Sequence, residues 1–334
     1  MDRLAREQDA GDVIVSLSGG EPLLVTNRQP VTKILDMAAQ RKWCVSFLTN
    51  GTQVHHFFDV LQQFQESVHH LQVTVDGPAE IHNQWRVQAN GDGTFDVIAG
   101  NISSMLALGL RVGVRVNVGP ANVRGLPDLF RVFDERGWVV YPSFVCQVSP
   151  VSDHQNTGSV SNYQAEFKLL EQLYAIFPDW EKRRDRYHVV LGREMERRIN
   201  LFRRVLYKGE VRPHPFTPGM TSCGSGSGRC VALGADGMIY PCPETVGQPQ
   251  YAIGRFDPEF TLDRPAWSRW LVDIASAPKC TKCNLAPICG TGCTFQGICT
   301  GSLDSFEPCC NYAQETVRTF LELNRDRLIR LAEA

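Results

Sequence analysis

Cysteine is the residue type whose number and spacing suggest chemistry. Of twelve cysteines, only Cys44 and Cys146 precede residue 223; Cys223, Cys230, Cys242, Cys280, Cys283, Cys289, Cys293, Cys299, Cys309 and Cys310 crowd into one later stretch. The spacing there is Cys223-x6-Cys230, Gly237-x4-Cys242, Cys280-x2-Cys283-x5-Cys289-x3-Cys293, then the Cys309-Cys310 pair. A Cys-x2-Cys pair sets two sulfurs on one side of a tight loop, and thiolates are the preferred ligands of zinc and of iron-sulfur centres. Eight such ligands make two four-sulfur shells. The count, the Cys-x5-Cys-x3-Cys run and the absence of histidine ligands nearby favour iron-sulfur over a zinc ribbon. Cys44, Cys146 and Cys299 fall outside the spacing and are assigned to packing or to spare thiols.

A second set of chemical residues sits where apolar runs stop. Ser18-Gly19-Gly20-Glu21-Pro22 follows Val13-Ile14-Val15, Thr49-Asn50-Gly51-Thr52 follows Val45 to Leu48, and Asp76-Gly77-Pro78 follows Leu71 to Val75. Each is a tight turn with a polar group at the end of a β-rich run. One alone reads as an ordinary connecting turn; three in order on successive strands read as a site. A Gly-rich strand end exposes backbone carbonyls, and a carboxylate such as Glu21 can pair with an ammonium group.

The elements that must position these groups follow from periodicity. β-rich runs recur at 13–15, 45–48, 71–75, 112–118 and 139–146, which gives five strands. Between them the helical spacing of Val31, Ile34, Leu35 and Ala38, of Phe95, Ile98, Ile102, Met105 and Leu106, and of Leu126, Leu129, Phe130 and Phe133 gives amphipathic helices. Strands alternating with helices predict a parallel α/β sheet or barrel, with functional groups gathered at the carboxyl ends of the strands. Residues 151–215 read as a helical connector in which the run Glu181 to Arg186 is a solvated face. Pro213, Pro215 and Pro218 mark a boundary, residues 216–312 form the cysteine-rich domain, and residues 313–334 read as one amphipathic helix with Val317, Phe320, Leu321, Leu328 and Leu331 inward.

Composition narrows the function. The 334 residues carry 34 Lys+Arg against 36 Asp+Glu, a formal net charge of −2. Binding to nucleic acid through bulk phosphate attraction is therefore not expected. No stretch approaches the roughly 20 apolar residues that span a bilayer, so no membrane association is expected. The start Met1-Asp2-Arg3-Leu4-Ala5-Arg6 has neither an apolar core nor a small-residue cleavage site. A cytoplasmic location follows, and in that reducing compartment clustered cysteines signal metal more often than disulfide.

Together, Gly-Gly-Glu-Pro, Asn-Gly-Thr and Val-Asp-Gly-Pro followed by Ile81-His82-Asn83-Gln84-Trp85-Arg86 resemble the barrel of a radical S-adenosylmethionine (radical SAM) enzyme. The later cysteine pattern, with Gly-Met-Ile-Tyr-Pro-Cys at 237–242, resembles the SPASM domain. The two resemblances cover residues 12 to 312 and suggest the subgroup of peptide and protein maturases that includes anaerobic sulfatase-maturating enzymes. They imply an α/β fold, a partial (β/α)6 TIM-like barrel over residues 1–150, followed by a small iron-sulfur domain. They further imply that Gly19, Gly20 and Glu21 receive the methionyl amino group of SAM, and that Asn50 and Asp76 lie at the same mouth. One auxiliary 4Fe-4S cluster would be held by Cys223, Cys230, Cys242 and Cys293. The other would be held by Cys280, Cys283, Cys289 and Cys310, with Cys309 as a substitute for Cys310. The implied activity is an oxidoreductase in which a 5′-deoxyadenosyl radical abstracts hydrogen from a residue of a peptide or protein substrate, with a flavodoxin or ferredoxin as reductant.

Two departures qualify the resemblance. The family carries a Cys-x3-Cys-x2-Cys loop for its SAM-binding 4Fe-4S cluster after the first strand, and this chain has no cysteine before Cys44. The expectation is a barrel lacking its first strand, through a gene-start error, a fragment or degeneration, and a chain not competent as written. In sulfatase-maturating relatives an acidic residue that serves as general base follows the Gly-x4-Cys cysteine; here Pro243 stands there and Glu244 is the substitute candidate. The competing readings are a non-catalytic iron-sulfur binding or electron-transfer module with a degenerate barrel, and a zinc-binding structural protein.

Overall fold

The computed structural model describes residues 1–7, 12–153, 158–209, 220–221, 223–302, 306–310 and 312–333. The boundary prolines Pro213, Pro215 and Pro218 lie outside the described residues. Contacts divide the chain into two compact units: residues 1–151, 162–164 and 171–192, and residues 152–161, 165–170 and 193–334.

The first unit is built on six parallel strands in chain order: β1 (Ile14–Leu17), β2 (Cys44–Thr49), β3 (Val68–Thr74), β4 (Val112–Val118), β5 (Phe144–Pro150) and β6 (Val189–Leu191). Such an order, with β1 and β6 as its edges, is that of an open α/β barrel. β4 shows why the sequence folds this way. Val112, Val114, Val116 and Val118 are all buried, whereas Gly113, Arg115 and Asn117 alternate on the other face and are half-buried. The helices Arg28–Arg41, Phe95–Ala107 and Leu126–Glu135 bury Val31, Leu35 and Ala38, then Ile98, Ile102 and Met105, then Leu129, Phe130 and Phe133. These are the positions the helical spacing predicts.

Three expectations are corrected within this unit. The sheet has six strands, because the stretch read as a helical connector supplies β6, which pairs with β5 from Cys146↔Val189 to Val148↔Leu191. Three residues are too few to show a period. The run at 139–146 does not start as a strand: Gly137 takes a positive φ, Trp138–Val140 form a helical turn and Trp138 is buried with its ring N–H donating to Ser103 Oγ, so β5 begins only after Pro142. The run at 181–186 is not wholly solvated. Glu181 and Arg184, one helical turn apart, are buried; the first accepts from Tyr174 Oη at 3.0 Å and the second donates from Nε to the Val189 carbonyl.

The second unit holds the cysteine-rich region and a four-stranded antiparallel sheet, ordered β10 (Thr261–Leu262), β9 (Gly254–Arg255), β8 (Met238–Tyr240) and β7 (Ala232–Leu233). Gly237 turns β7 into β8 with φ +78°, where a side chain would be strained and crowded against the Asp257 carbonyl, and Cys242 follows β8 after Pro241. The C-terminal stretch is two helices, Ala313–Leu323 and Arg325–Ala332. They part at Asn324, whose Nδ2 donates back to the Phe320 carbonyl and whose Oδ1 accepts from Tyr207 Oη; past this break Leu331 is exposed, not inward. No described helix is long and apolar enough to cross a membrane.

Candidate active site and thiolate centres

At the carboxyl end of β1, Gly19 and Gly20 take φ +84° and +55°, and a Cβ built on either would meet nothing within 4 Å. The turn is thus held open where backbone approach is possible, in a conformation that other residues rarely adopt. Glu21 ties this turn to its neighbour. Its Oε1 accepts from Thr49 Oγ1 at 2.6 Å and from the Leu23 N–H at 3.0 Å, and its Oε2 accepts from the Asn50 N–H at 2.7 Å. Asn50 Oδ1 in turn accepts from the N–H and hydroxyl of Thr52. Asn101 Nδ2 donates to the carbonyl of Gly51, a residue with φ +80° at which a Cβ would collide with the Val73 side chain.

The ends of β3 and β4 are joined through Asp76, which is 6% exposed. Its Oδ2 accepts from Arg86 Nε at 2.7 Å, and its Oδ1 accepts from the N–H and Nδ2 of Asn117 at 3.1 and 3.2 Å. Asn122 Nδ2 donates to the carbonyls of Asp76 and Asn117. The Asp76 N–H donates to His82 Nδ1, so the imidazole carries its proton on Nε2 and gives it to Thr94 Oγ1, which donates to the Arg86 carbonyl. Burial, aided by the Arg86 charge, pushes His82 down to about 4, so the ring is neutral.

The residues singled out in the sequence therefore gather at one set of strand ends, with roles partly different from a simple ligand list. Glu21 and Asp76 spend their oxygens on holding the rim. Thr49, Asn117, Asn122 and Thr94 were not singled out, yet they complete it. A signal existed for Asn117: β4 alternates Gly113, Arg115, Asn117 against four valines, and register places Thr74 beside Arg115, Arg115 beside Gln147 and Asn117 beside Ser149. Strands of a parallel sheet are normally apolar on both faces, so a polar face marks a use. Ser149 Oγ is buried with no partner among the described residues.

In the second unit the thiols fall into two neighbourhoods. Cys280 is pushed up to about 11 by burial and by the neighbouring charges of Cys310, Cys289 and Cys283. Cys242 reaches about 11 and Cys293 about 12 through burial, with Cys223 acting on both. Cys223 is the exception. Burial opposes its ionisation, but N–H groups of Gly226, Ser225 and Thr294 and the Ser225 hydroxyl hold its thiol below the usual range. Cys230 closes on the same loop, its N–H donating to the Gly224 carbonyl. Cys309 is buried with Sγ donating to Gln296 Oε1 at 3.0 Å, whereas Cys310 is exposed and acts on Cys280 and Cys289. All twelve thiols are free. Cys146 is buried in β5, its thiol raised by burial; Cys44 is half-buried at the amino end of β2, and Cys299 is exposed. Glu244 is exposed, in the turn Pro243–Thr245, with its backbone N–H on the Cys242 sulfur. Among the described residues no three His, Cys, Asp or Glu converge as ligands of a single ion would.

Comparison with known proteins places this arrangement. No family model matches the chain. It is 23% identical over 296 residues to the cysteine-type anaerobic sulfatase-maturating enzyme of Clostridium novyi, covering 86% of this chain and 73% of that protein. It is 25% identical over 126 residues to Fe-coproporphyrin III synthase of Methanosarcina barkeri, covering 37% of this chain and 30% of that protein. Among solved structures, native anSMEcpe with bound AdoMet superposes with a TM-score of 0.67 at 18% identity, covering 98% of this chain and 86% of that one. Streptococcus suis SuiB bound to precursor peptide SuiA gives 0.60 at 14% identity, covering 92% and 67%. The structural likenesses establish the fold. The sequence match is to a sulfatase-maturating enzyme, and the solved structures that share the fold include proteins with AdoMet bound.

Proposed function

We propose that this chain binds S-adenosylmethionine at the ends of β1 to β4 and acts, in the manner of its relatives, on a residue of a peptide or protein substrate. The observation that carries the reading is the open Gly19-Gly20 turn on a rim already braced by hydrogen bonds. The residues fit SAM: an ammonium group can approach the exposed carbonyls of that turn, beside the negative charge of Glu21. Arg86, pinned through Nε by Asp76, keeps its outer nitrogens for a carboxylate, and Ser149 Oγ is a buried hydroxyl in need of a partner. When bound and reductively cleaved, SAM supplies a hydrogen-abstracting 5′-deoxyadenosyl radical. The chain's own residues hold the ligand, orient it and keep the neutral His82 from charging the wall beside it.

The thiols fit two auxiliary 4Fe-4S clusters with the ligand sets given above, Cys310 in preference to Cys309, since the latter is engaged with Gln296. A four-iron cube also spaces its thiolates more widely than a single ion does. The residues do not fit the SAM-binding cluster. The chain has no Cys-x3-Cys-x2-Cys, and Cys44 stands at the amino end of β2, opposite the rim, so no step is assigned through that group. This is the observation that favours a second reading, a non-catalytic iron-sulfur module that binds SAM or a peptide without turnover. Peptide ligands come from the relatives: anSMEcpe was solved with the Kp18Cys peptide and SuiB with SuiA. Pro243 in place of an acid after Cys242 argues against the sulfatase substrate, and Glu244 is the residue left to act as base. A cytoplasmic flavodoxin or ferredoxin is the matching reductant.

The test is anaerobic reconstitution, with iron and sulfide, of the product of the whole open reading frame. SAM binding by equilibrium dialysis and 5′-deoxyadenosine release under reduction are then measured. Binding with release supports the enzyme. Binding without release supports the module, and no binding by a folded, iron-loaded protein overturns both.

A further inference from the structure

The helix Arg193–Lys208 packs against the short helix Ala286–Cys289, which ends on a cysteine of the second thiolate neighbourhood. Two arginines on this helix are unusually placed. Arg198 has a side chain only 3% exposed, paired with Glu166 Oε2 at 2.5 Å. Arg197 donates from Nη2 to Glu194 Oε2 at 2.6 Å, while its Nε and Nη1 are buried with no hydrogen-bond partner among the described residues. Buried donors on a charged group are costly to leave unmade and are rare in folded proteins. Among the described residues nothing accepts them, which leaves room for an acceptor that is not a protein side chain. A cluster held by four thiolates is an anion whose inorganic and cysteine sulfurs accept N–H bonds, and such bonds and charges are what set its potential.

We infer that Arg197 donates its Nε–H and Nη1–H to sulfur of the cluster at Cys280, Cys283, Cys289 and Cys310, and that the Arg197–Glu194 pair sets that cluster's reduction potential. The inference rests on the ligand assignment proposed above. One-electron reduction makes the cluster more negative, so a donating guanidinium stabilises the reduced form more than the oxidised one and raises the potential. Glu194 restrains the effect by sharing the charge. Arg198 acts on the Cys289 thiol more strongly than Arg197 does, but its charge is already matched by Glu166, so it is a fixed background to the Arg197–Glu194 pair.

The experiment is a redox titration of the anaerobically reconstituted full chain, followed by electron paramagnetic resonance, with iron and sulfide counted in each variant. Arg197→Gln is expected to raise the oxidised-to-reduced ratio of one cluster about tenfold at a fixed poise, equivalent to about 59 mV for one electron. Arg197→Lys should restore part of the shift, and Glu194→Gln should move the same cluster the opposite way. An Arg197→Gln protein that keeps its iron and titrates like the parent overturns the inference, as does an equal shift of both clusters. Should Arg197→Gln lose its iron, Glu194→Gln decides alone, and an unmoved potential there counts against it. Cys289→Ala separates the two claims. Full iron in that variant sinks the ligand assignment, whereas loss of about half the iron beside unmoved potentials in the arginine and glutamate variants sinks only the role of Arg197.

Discussion

The strand ends of the first unit and the thiolate loops of the second treat buried polarity in opposite ways. At the strand ends, Glu21 accepts three hydrogen bonds, Asp76 three more, and His82 is buried in the neutral form with both ring nitrogens engaged. That site is organised by the polypeptide itself, ahead of any ligand. In the thiolate loops, burial pushes Cys242 and Cys280 to about 11 and Cys293 to about 12, and Arg197 keeps two buried N–H groups without partners among the described residues. Cys223 differs, because its cradle of donors outweighs the burial. On the function proposed above, this region is left for a metal to complete. The lesson is that one unit carries its own order, whereas the order of the other is linked to what it binds.

The largest effect should come from removing metal. Thiolate ligation of structural metals contributes on the order of 10 kcal/mol to folding of the loops involved. Chelator-treated or aerobically purified protein should therefore lose protease resistance within residues 216–312 first, while the six-stranded sheet stays intact. Limited proteolysis with mass mapping checks this, and uniform digestion of both units would erase the contrast.

Next in size is Asp76→Ala. It leaves the half-buried Arg86 guanidinium and the Asn117 donors without their acceptor, and breaking such a pair costs roughly 2–4 kcal/mol. Urea denaturation should show the loss in the transition of the first unit alone. A change confined to the cysteine-rich unit would mean that the rim is not braced as described.

His82 gives a pH-dependent version of the same argument. Its folded-state pKa of about 4 lies below the ordinary value near 6.5, so between those values the unfolded chain binds a proton that the folded chain refuses. Stability of the first unit should thus be unaffected above pH 6.5 and fall as pH drops toward 4, by up to about 3 kcal/mol. His82→Gln should flatten that slope while lowering stability at neutral pH; an unchanged slope would assign the acid sensitivity elsewhere.

How much of this was legible in the sequence depends on the range of the signal. β4 is found at the boundaries its valines predict, and the helices at 28–41, 95–107 and 126–135 bury the residues their spacing selects. Such patterns are local and redundant. β6 was not legible because three residues carry no period, and its place is fixed by β5, some forty residues earlier in the chain. The break at Asn324 was hidden for a related reason: a side chain that bonds its own helix end and Tyr207 leaves the apolar spacing untouched. At the rim, residue types at strand ends revealed Gly19, Gly20, Glu21, Asn50 and Asp76, but not that two of the carboxylates are committed to neighbours. That commitment depends on Thr49 and Asn117, which only pairing of strands brings near. The thiol neighbourhoods depend on loops closing over long separations, so spacing suggests two sets of thiols but leaves the choice between Cys309 and Cys310 open.

The smallest expected effect sharpens the comparison most, because it alters one atom. Glu21→Gln keeps the shape of the side chain but replaces one acceptor oxygen with a donor. If the amide oxygen stays with Thr49 Oγ1 and the Leu23 N–H, its NH2 faces the Asn50 N–H, which now stands 2.7 Å from Oε2; if it flips, two donors face it instead. Either way at least one part-buried bond is replaced by a donor–donor contact, at about 1–2 kcal/mol. The first unit should remain folded, with a lowered urea midpoint, since Asn50 Oδ1 still holds Thr52 and Asn101 still holds the Gly51 carbonyl. SAM affinity, measured by equilibrium dialysis, should fall by roughly tenfold, because the turn at Gly19 and Gly20 loses both its brace and its negative charge. Unchanged affinity with a lowered midpoint would leave Glu21 as a brace alone. Unchanged stability with lost affinity would mean that its carboxylate meets the ligand directly and that the rim is organised less by the polypeptide than its hydrogen bonds indicate.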